Sequence, residues 1–115
     1  LGTTTRDALE ALDKDGRTDA IVIVGEIGGA MEEDAAACAK TMAKPMVAFI
    51  AGAAAPTGKK MGHAGAIVTG NAGSYASKRQ ALEAAGVTVV DTPSQIAAAV
   101  AAGLQSGRSK VAASQ

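Results

Sequence analysis

The sequence has few side chains that can fill a large core. Aromatic residues make up 2% of the 115 residues, and tryptophan is absent. Hydrophobic residues make up 48%, but 28 of these residues are alanine. Each large aliphatic side chain contributes about 1.5–3 kcal/mol on full burial, whereas ordering each residue costs about 1–2 kcal/mol. We therefore expect a single domain with a thin core that relies on a partner surface.

The sequence also lacks net charge and long apolar runs. Eleven basic and eleven acidic residues cancel, so no overall field attracts nucleic acid or an anionic membrane. No apolar stretch approaches the roughly 18 residues of a membrane span, and the start lacks a signal-peptide pattern. We expect a protein of the bacterial cytoplasm, or of the mitochondrial matrix if the source is eukaryotic.

Cysteine is limited to Cys38, which excludes an internal disulfide. Its place in an alanine-rich helical run favours packing as a small side chain over the role of a reactive thiol. One histidine and no cysteine pair do not make a closed ligand set. The sequence therefore predicts no metal site.

Helical and strand-like segments alternate along the chain. Strands are predicted at 20–24, 46–50, 66–69 and 87–90, and helices at about 5–12, 30–43, 75–85 and 91–102. Short connections between them predict an α/β fold with a small parallel sheet and flanking helices. The run Ala20–Val24 has no polar alternation, so we expect burial on both of its faces. Residues 1–104 are assigned to the domain and 105–115 to a flexible tail.

Two predicted loops follow carboxyl ends of strands, where open parallel sheets bind their ligands. The loop after the first strand contains Glu26, and the loop after the second contains His63, the only histidine. A neutral imidazole is nucleophilic near pH 7, and a carboxylate bonded to one ring nitrogen leaves the other free to attack. From spacing alone, a structural role in a glycine-rich loop is the commoner outcome for such a histidine.

Residues around His63 offer possible phosphate contacts. Gly62 and Gly65 allow a ligand to approach the backbone closely. Lys59 and Lys60 could hold a phosphate or form a solvated loop tip. The run Gly70-Asn71-Ala72-Gly73 could cradle an anion at a helix start, although a plain turn and cap is the commoner use of such a run.

Together, these segments resemble the α subunit of succinate–CoA ligase, within the wider NDP-forming acyl-CoA ligases. The resemblance covers about residues 5–100 and is most specific in the string GKKMGHAGAI at 58–67. The other matching strings are AIVIVGEIGG at 20–29, KP at 44–45, AFIAG at 48–52, AP at 55–56 and ALEAAGV at 81–87.

The resemblance implies a flavodoxin-like fold and a role for two of the candidate residues. His63 corresponds to the histidine that ATP or GTP phosphorylates and that passes the phosphoryl group to succinate before CoA forms the thioester. Glu26 corresponds to the glutamate that orients this ring. Lys60 stands where arginine is common in the family, which keeps the charge but loses a bidentate donor.

The resemblance further implies that the chain is a partial C-terminal CoA-ligase domain, without its first strand and helix. Its expected partners are the N-terminal CoA-binding domain and the β subunit, and the complete enzyme is expected to use CoA, ATP or GTP, and Mg. The chain alone is expected to bind no cofactor and to be inactive. Two alternatives stay open: a ligase for another carboxylate such as malate or citrate, and a non-catalytic flavodoxin-like interaction module.

Overall fold

The computed structural model describes residues 2–54 and 73–114, with side chains described as far as residue 106. In chain order the elements are α1 (Thr5–Lys14), β1 (Ile21–Glu26), α2 (Met31–Ala39), β2 (Met46–Ala51), α3 (Tyr75–Ala84), β3 (Thr88–Val90), a 3-10 turn (Pro93–Gln95) and α4 (Ile96–Ser114). The three strands form a parallel sheet in the order β1-β2-β3. This confirms the predicted α/β fold; the strand predicted at 66–69 lies outside the described residues.

The core lies on the sheet face that α1, α2 and α3 cover. Leu9 of α1 and Leu82 of α3 are buried there with the strand side chains, and three alanines of α2 are almost fully buried. Small side chains allow α2 to pack closely against α1 and α3, which is how an alanine-rich sequence fills this core. Cys38 is buried with its Sγ 3.8 Å from Met42 Sδ, which confirms its packing role.

The two faces of β1 differ in burial. Ile21 and Ile23 are buried in the core, whereas Val22 and Val24 on the opposite face are 43% and 70% exposed. The prediction that this strand is buried on both faces is therefore wrong. The reason is its place in the sheet: β1 is the edge strand of the described part, and α4 packs mainly on β2 and β3.

Two helices end at other positions than predicted. α2 ends at Ala39 rather than near residue 43. Just after its end, the Thr41 hydroxyl donates to the Cys38 carbonyl at 3.0 Å. α4 continues to Ser114 instead of ending near residue 102. Its alanine content offsets the roughly 1 kcal/mol cost of an internal glycine, and Gly103 serves close packing, since a Cβ there would lie 3.0 Å from Pro45 Cβ. The division into a domain at 1–104 and a tail at 105–115 stays a prediction.

An arginine clip ties the middle of α3 to the residue that follows β3. Arg79 Nη1 lies 2.7 Å from Asp91 Oδ1 and 3.0 Å from the Tyr75 hydroxyl. The Asp91 carboxylate, followed by the Tyr75 hydroxyl, raises the pKa of Arg79. This guanidinium is charged at every relevant pH and is a constant donor to Asp91 and Tyr75.

α1 begins with a reciprocal cap. Thr4 Oγ1 accepts from the Asp7 backbone N–H at 3.1 Å, and Asp7 Oδ2 accepts from the Thr4 backbone N–H at 3.1 Å. The hydrogen bond from the Thr4 backbone, followed by that from its side chain, lowers the pKa of Asp7. Two of the N–H groups that a helix start leaves unpaired are satisfied in this way.

We expect Thr4→Ala to lower the free energy of unfolding by about 1 kcal/mol, because it removes the side-chain half of this cap. Thr3→Ala is the matched control, since Thr3 is exposed and lies outside the cap, and it should change the value little. Urea unfolding followed by circular dichroism measures both. Equal losses in the two variants would show that the cap does not stabilise α1.

Candidate functional site

Three segments of the chain meet at the carboxyl edge of the sheet. The connection after β1 lies between the end of β2 and the segment that leads into α3. The Ile27 N–H donates to the Ala51 carbonyl at 3.2 Å, and the Gly28 N–H donates to the Gly73 carbonyl at 2.8 Å. Ala51 and Gly73 stand on either side of residues 55–72 in the chain. Both chain segments that flank 55–72 are therefore attached to the connection that follows Glu26.

Glu26 is the last residue of β1, since the strand extends two residues beyond its predicted end at Val24. Its position at the carboxyl edge is as predicted, and the residue is half-buried there. The other predicted site residues lie outside the described residues: His63, Lys59, Lys60, Gly62 and Gly65. The pairing of Glu26 with His63 therefore stays a prediction.

A cavity of about 730 Å³ lies beside Glu26. Its walls include Thr4 and Arg6 at the start of α1, the loop 28–30, and Glu32 at the start of α2. This volume falls within the range of small-molecule sites in proteins. One guanidinium and several carboxylates face it, so it offers both signs of charge next to Glu26.

A buried lysine next to this cavity escaped the sequence analysis. Lys78 of α3 is fully buried and forms ion pairs with Glu32 and with Glu33, the second at 3.2 Å between Nζ and Oε1. Ser77 Oγ also donates to Glu33 Oε2 at 3.2 Å. One signal could have revealed the lysine: it stands four residues before Leu82, which places it on the face of α3 that enters the core.

Glu32 also lies against the strand. A Cβ at Gly25 would lie 2.9 Å from both Cγ and Cδ of Glu32, so a larger residue there would force this side chain to shift. Gly25 directly precedes Glu26. The side chain that pairs with Lys78 is thus packed on the backbone that carries the candidate acid.

A second close approach requires glycine at position 73. Gly73 has φ +74°, and a Cβ there would lie 2.7 Å from the Gly29 carbonyl oxygen. The next residue, Ser74, caps α3 by accepting from the Ser77 N–H at 3.0 Å. The described end of the run 70–73 is therefore a turn and a helix cap, and its first three residues lie outside the described part.

The described residues hold no group arranged for a metal ion. Within 2–54 and 73–114, no set of three or more histidine, cysteine, aspartate or glutamate side chains is grouped to bind one. The same residues contain no helix that is long and apolar enough to cross a membrane.

The fold and the carboxyl-edge site define an α/β domain of the kind that binds ligands where its strands end. A family model described as CoA-ligase matches residues 2–88, and the chain belongs to this family. This confirms the resemblance on which the site assignment depends.

Two curated relatives of the chain share one name. The chain is 59% identical over 90 residues to the "Succinate–CoA ligase [ADP-forming] subunit alpha" of Methanothermobacter thermautotrophicus, a match that covers 78% of this chain and 31% of that protein. It is 50% identical over 101 residues to the protein of the same name from Aquifex aeolicus, covering 87% and 33%. The chain thus spans about a third of the length of these relatives.

Solved structures show the same fold. ATP citrate lyase from Methanosaeta concilii, in complex with (3S)-citryl-CoA, superposes with a TM-score of 0.82 at 24% identity, covering 90% of this chain and 18% of that one. ATP citrate lyase from Methanothrix soehngenii, in complex with citrate and coenzyme A, gives a TM-score of 0.77 at 22% identity. At this identity the likeness establishes the architecture alone.

We expect Gly73→Ala to destabilise the domain more than Gly86→Ala. Both glycines have positive φ, +74° and +88°, so both variants incur roughly 1–2 kcal/mol of backbone strain. Only the Cβ at position 73 also meets a backbone oxygen, whereas position 86 opens into free space. Thermal unfolding compares the two, and equal melting temperatures would contradict the close approach between Gly73 and Gly29.

Proposed function

We propose that this chain carries the transiently phosphorylated histidine of an NDP-forming succinate–CoA ligase, as the C-terminal part of the α subunit. Membership of the CoA-ligase family and the names of relatives at 50–59% identity support the assignment. The observation that carries it is geometric: the segments flanking 55–72, within which His63 stands, are both attached to the connection after Glu26.

In the proposed first step, a ring nitrogen of His63 attacks the γ-phosphorus of ATP or GTP. A phosphorus–nitrogen bond forms, the bond to the bridging oxygen breaks, and ADP or GDP leaves with that electron pair. The ring becomes positively charged as the bond forms. Glu26 accepts a hydrogen bond from the N–H of the other ring nitrogen, which fixes the tautomer and stabilises this charge.

In the second step, a carboxylate oxygen of succinate attacks the phosphorus and the histidine leaves as a neutral ring. The sulfur of CoA then attacks the acyl carbon, and phosphate is released with formation of the thioester. Gly62 and Gly65 leave room for the substrates to approach the ring, and Lys59 and Lys60 balance phosphoryl charge. Succinate is favoured over other carboxylates by the names of the curated relatives.

The remaining components are proposed to come from outside this chain. The β subunit binds the nucleotide and an N-terminal domain binds CoA, so this chain alone is inactive. The complete enzyme is proposed to use magnesium together with the nucleotide. The proposed compartment is the bacterial cytoplasm or the mitochondrial matrix.

We expect the intact α subunit, purified with its β subunit, to take up acid-labile and base-stable phosphate from ATP or GTP. His63→Ala should abolish the label because the attacking nitrogen is lost. Radiolabelled γ-phosphate and peptide mapping measure the label and its position. Equal labelling of the His63→Ala enzyme would refute the assignment.

We expect Glu26→Gln to slow phosphohistidine formation on the order of tenfold or more, because an amide stabilises the charged ring less than a carboxylate does. Rapid-quench measurement of a single turnover gives the rate, and circular dichroism confirms the fold. Glu83→Gln is the control, since Glu83 is exposed near the end of α3 and pairs with Arg79. Unchanged phosphorylation kinetics in Glu26→Gln would remove Glu26 from the mechanism.

A further inference from the structure

The buried cluster of Lys78, Glu32 and Glu33 joins two helix starts. Lys78 stands in the first half of α3, and the two glutamates stand in the first turn of α2. The lysine side chain is 0% exposed and those of the glutamates are 9% and 22% exposed. Two carboxylates around one ammonium group leave a formal charge of −1, in a cluster where Lys78 and Glu32 are buried and Glu33 is partly exposed.

Stability alone does not explain such a cluster. Taking charges out of water is costly, and well-packed apolar residues of similar volume often stabilise a protein as well as a buried ion pair does. Directional charged contacts do fix the relative position of the elements that bear them. The cluster therefore acts on the relative positions of α2 and α3, the helices that carry its residues.

The cluster connects to the candidate site at two points. Glu32 packs on Gly25, the residue before Glu26. The start of α3 follows Gly73, whose carbonyl accepts from the Gly28 N–H at 2.8 Å. Lys78 thus links the strand end that carries Glu26 to the point where the chain returns from residues 55–72.

We propose that Lys78 is a positioning residue for phosphoryl transfer: its ion pairs with Glu32 and Glu33 hold the start of α3 in register with the strand end that carries Glu26. This inference rests on the proposed function, because it assigns Lys78 a role at the same site. Lys78 acts through backbone and neighbouring side chains and has no contact with substrate in this role.

The test uses the intact α subunit with its β subunit and three variants. Lys78→Met with Glu32→Gln and Glu33→Gln removes all the charges of the cluster while keeping the side-chain volumes, so no unpaired charge is buried. Glu33→Ala removes only the more exposed carboxylate and retains the pair between Lys78 and Glu32. Arg79→Gln is the control: it changes the next residue of the same helix and breaks the clip to Asp91.

The neutral triple variant should form phosphohistidine about tenfold more slowly in a single turnover, with KM for the nucleotide unchanged. Glu33→Ala should also slow phosphohistidine formation with an unchanged KM, but by only about threefold. Arg79→Gln should lower the melting temperature without slowing phosphorylation. A decrease in rate with unchanged KM separates positioning of the histidine from loss of the nucleotide site.

Three results would overturn the inference. Phosphorylation at the wild-type rate in the neutral triple variant would show that the cluster only supports the fold. If that variant does not fold, a wild-type rate in Glu33→Ala would have the same meaning. An equal decrease in Arg79→Gln would show that any weakening of α3 suffices.

The wild-type enzyme distinguishes failure of this inference from failure of the proposed function. If the wild-type enzyme takes up no phosphate at His63, the proposed function fails. If the wild-type enzyme is labelled and the variants are unaffected, only the role of Lys78 is refuted.

Discussion

The close approach of backbones at the carboxyl edge of the sheet is the constraint on which the site depends. Gly73 lies so near Gly29 that a single methyl group would collide with a carbonyl oxygen. Gly25 leaves the space that the Glu32 side chain occupies. These contacts bring the end of β1, the start of α2 and the start of α3 together around Glu26. Small residues thus create the site, and the buried ion cluster fixes it.

The same preference for small residues shapes the rest of the domain. Alanines of α2 let that helix pack closely against α1 and α3, and Gly103 lets α4 pack on Pro45. The core is correspondingly thin, and two valines of the edge strand stay exposed on one face. An exposed apolar face on an edge strand is unusual for a protein surface. This exposed face agrees with the expectation that the domain relies on a partner surface. That expectation stays a prediction.

Local patterns in the sequence predicted most of the elements, because β-branched runs, helix caps and alanine-rich stretches act over a few residues. The exposure of Val22 and Val24 could not be predicted in this way, since it depends on strand order and on where α4 packs. Lys78 was missed because a lysine ordinarily lies at the surface; its burial depends on two glutamates 45 or more positions away in the chain. Glu26 was placed correctly at the strand end, and its proposed partner lies outside the described residues.

We propose that His63 receives the phosphoryl group beside Glu26. Phosphorus NMR of the intact enzyme, with isotope-labelled nitrogens in its histidine rings, tests it most directly. After addition of ATP or GTP, the account predicts a phosphorus signal coupled to one ring nitrogen of His63, while the other nitrogen bears a proton shared with Glu26. If the enzyme is phosphorylated but its phosphorus signal shows no coupling to a nitrogen of His63, a different residue receives the phosphoryl group.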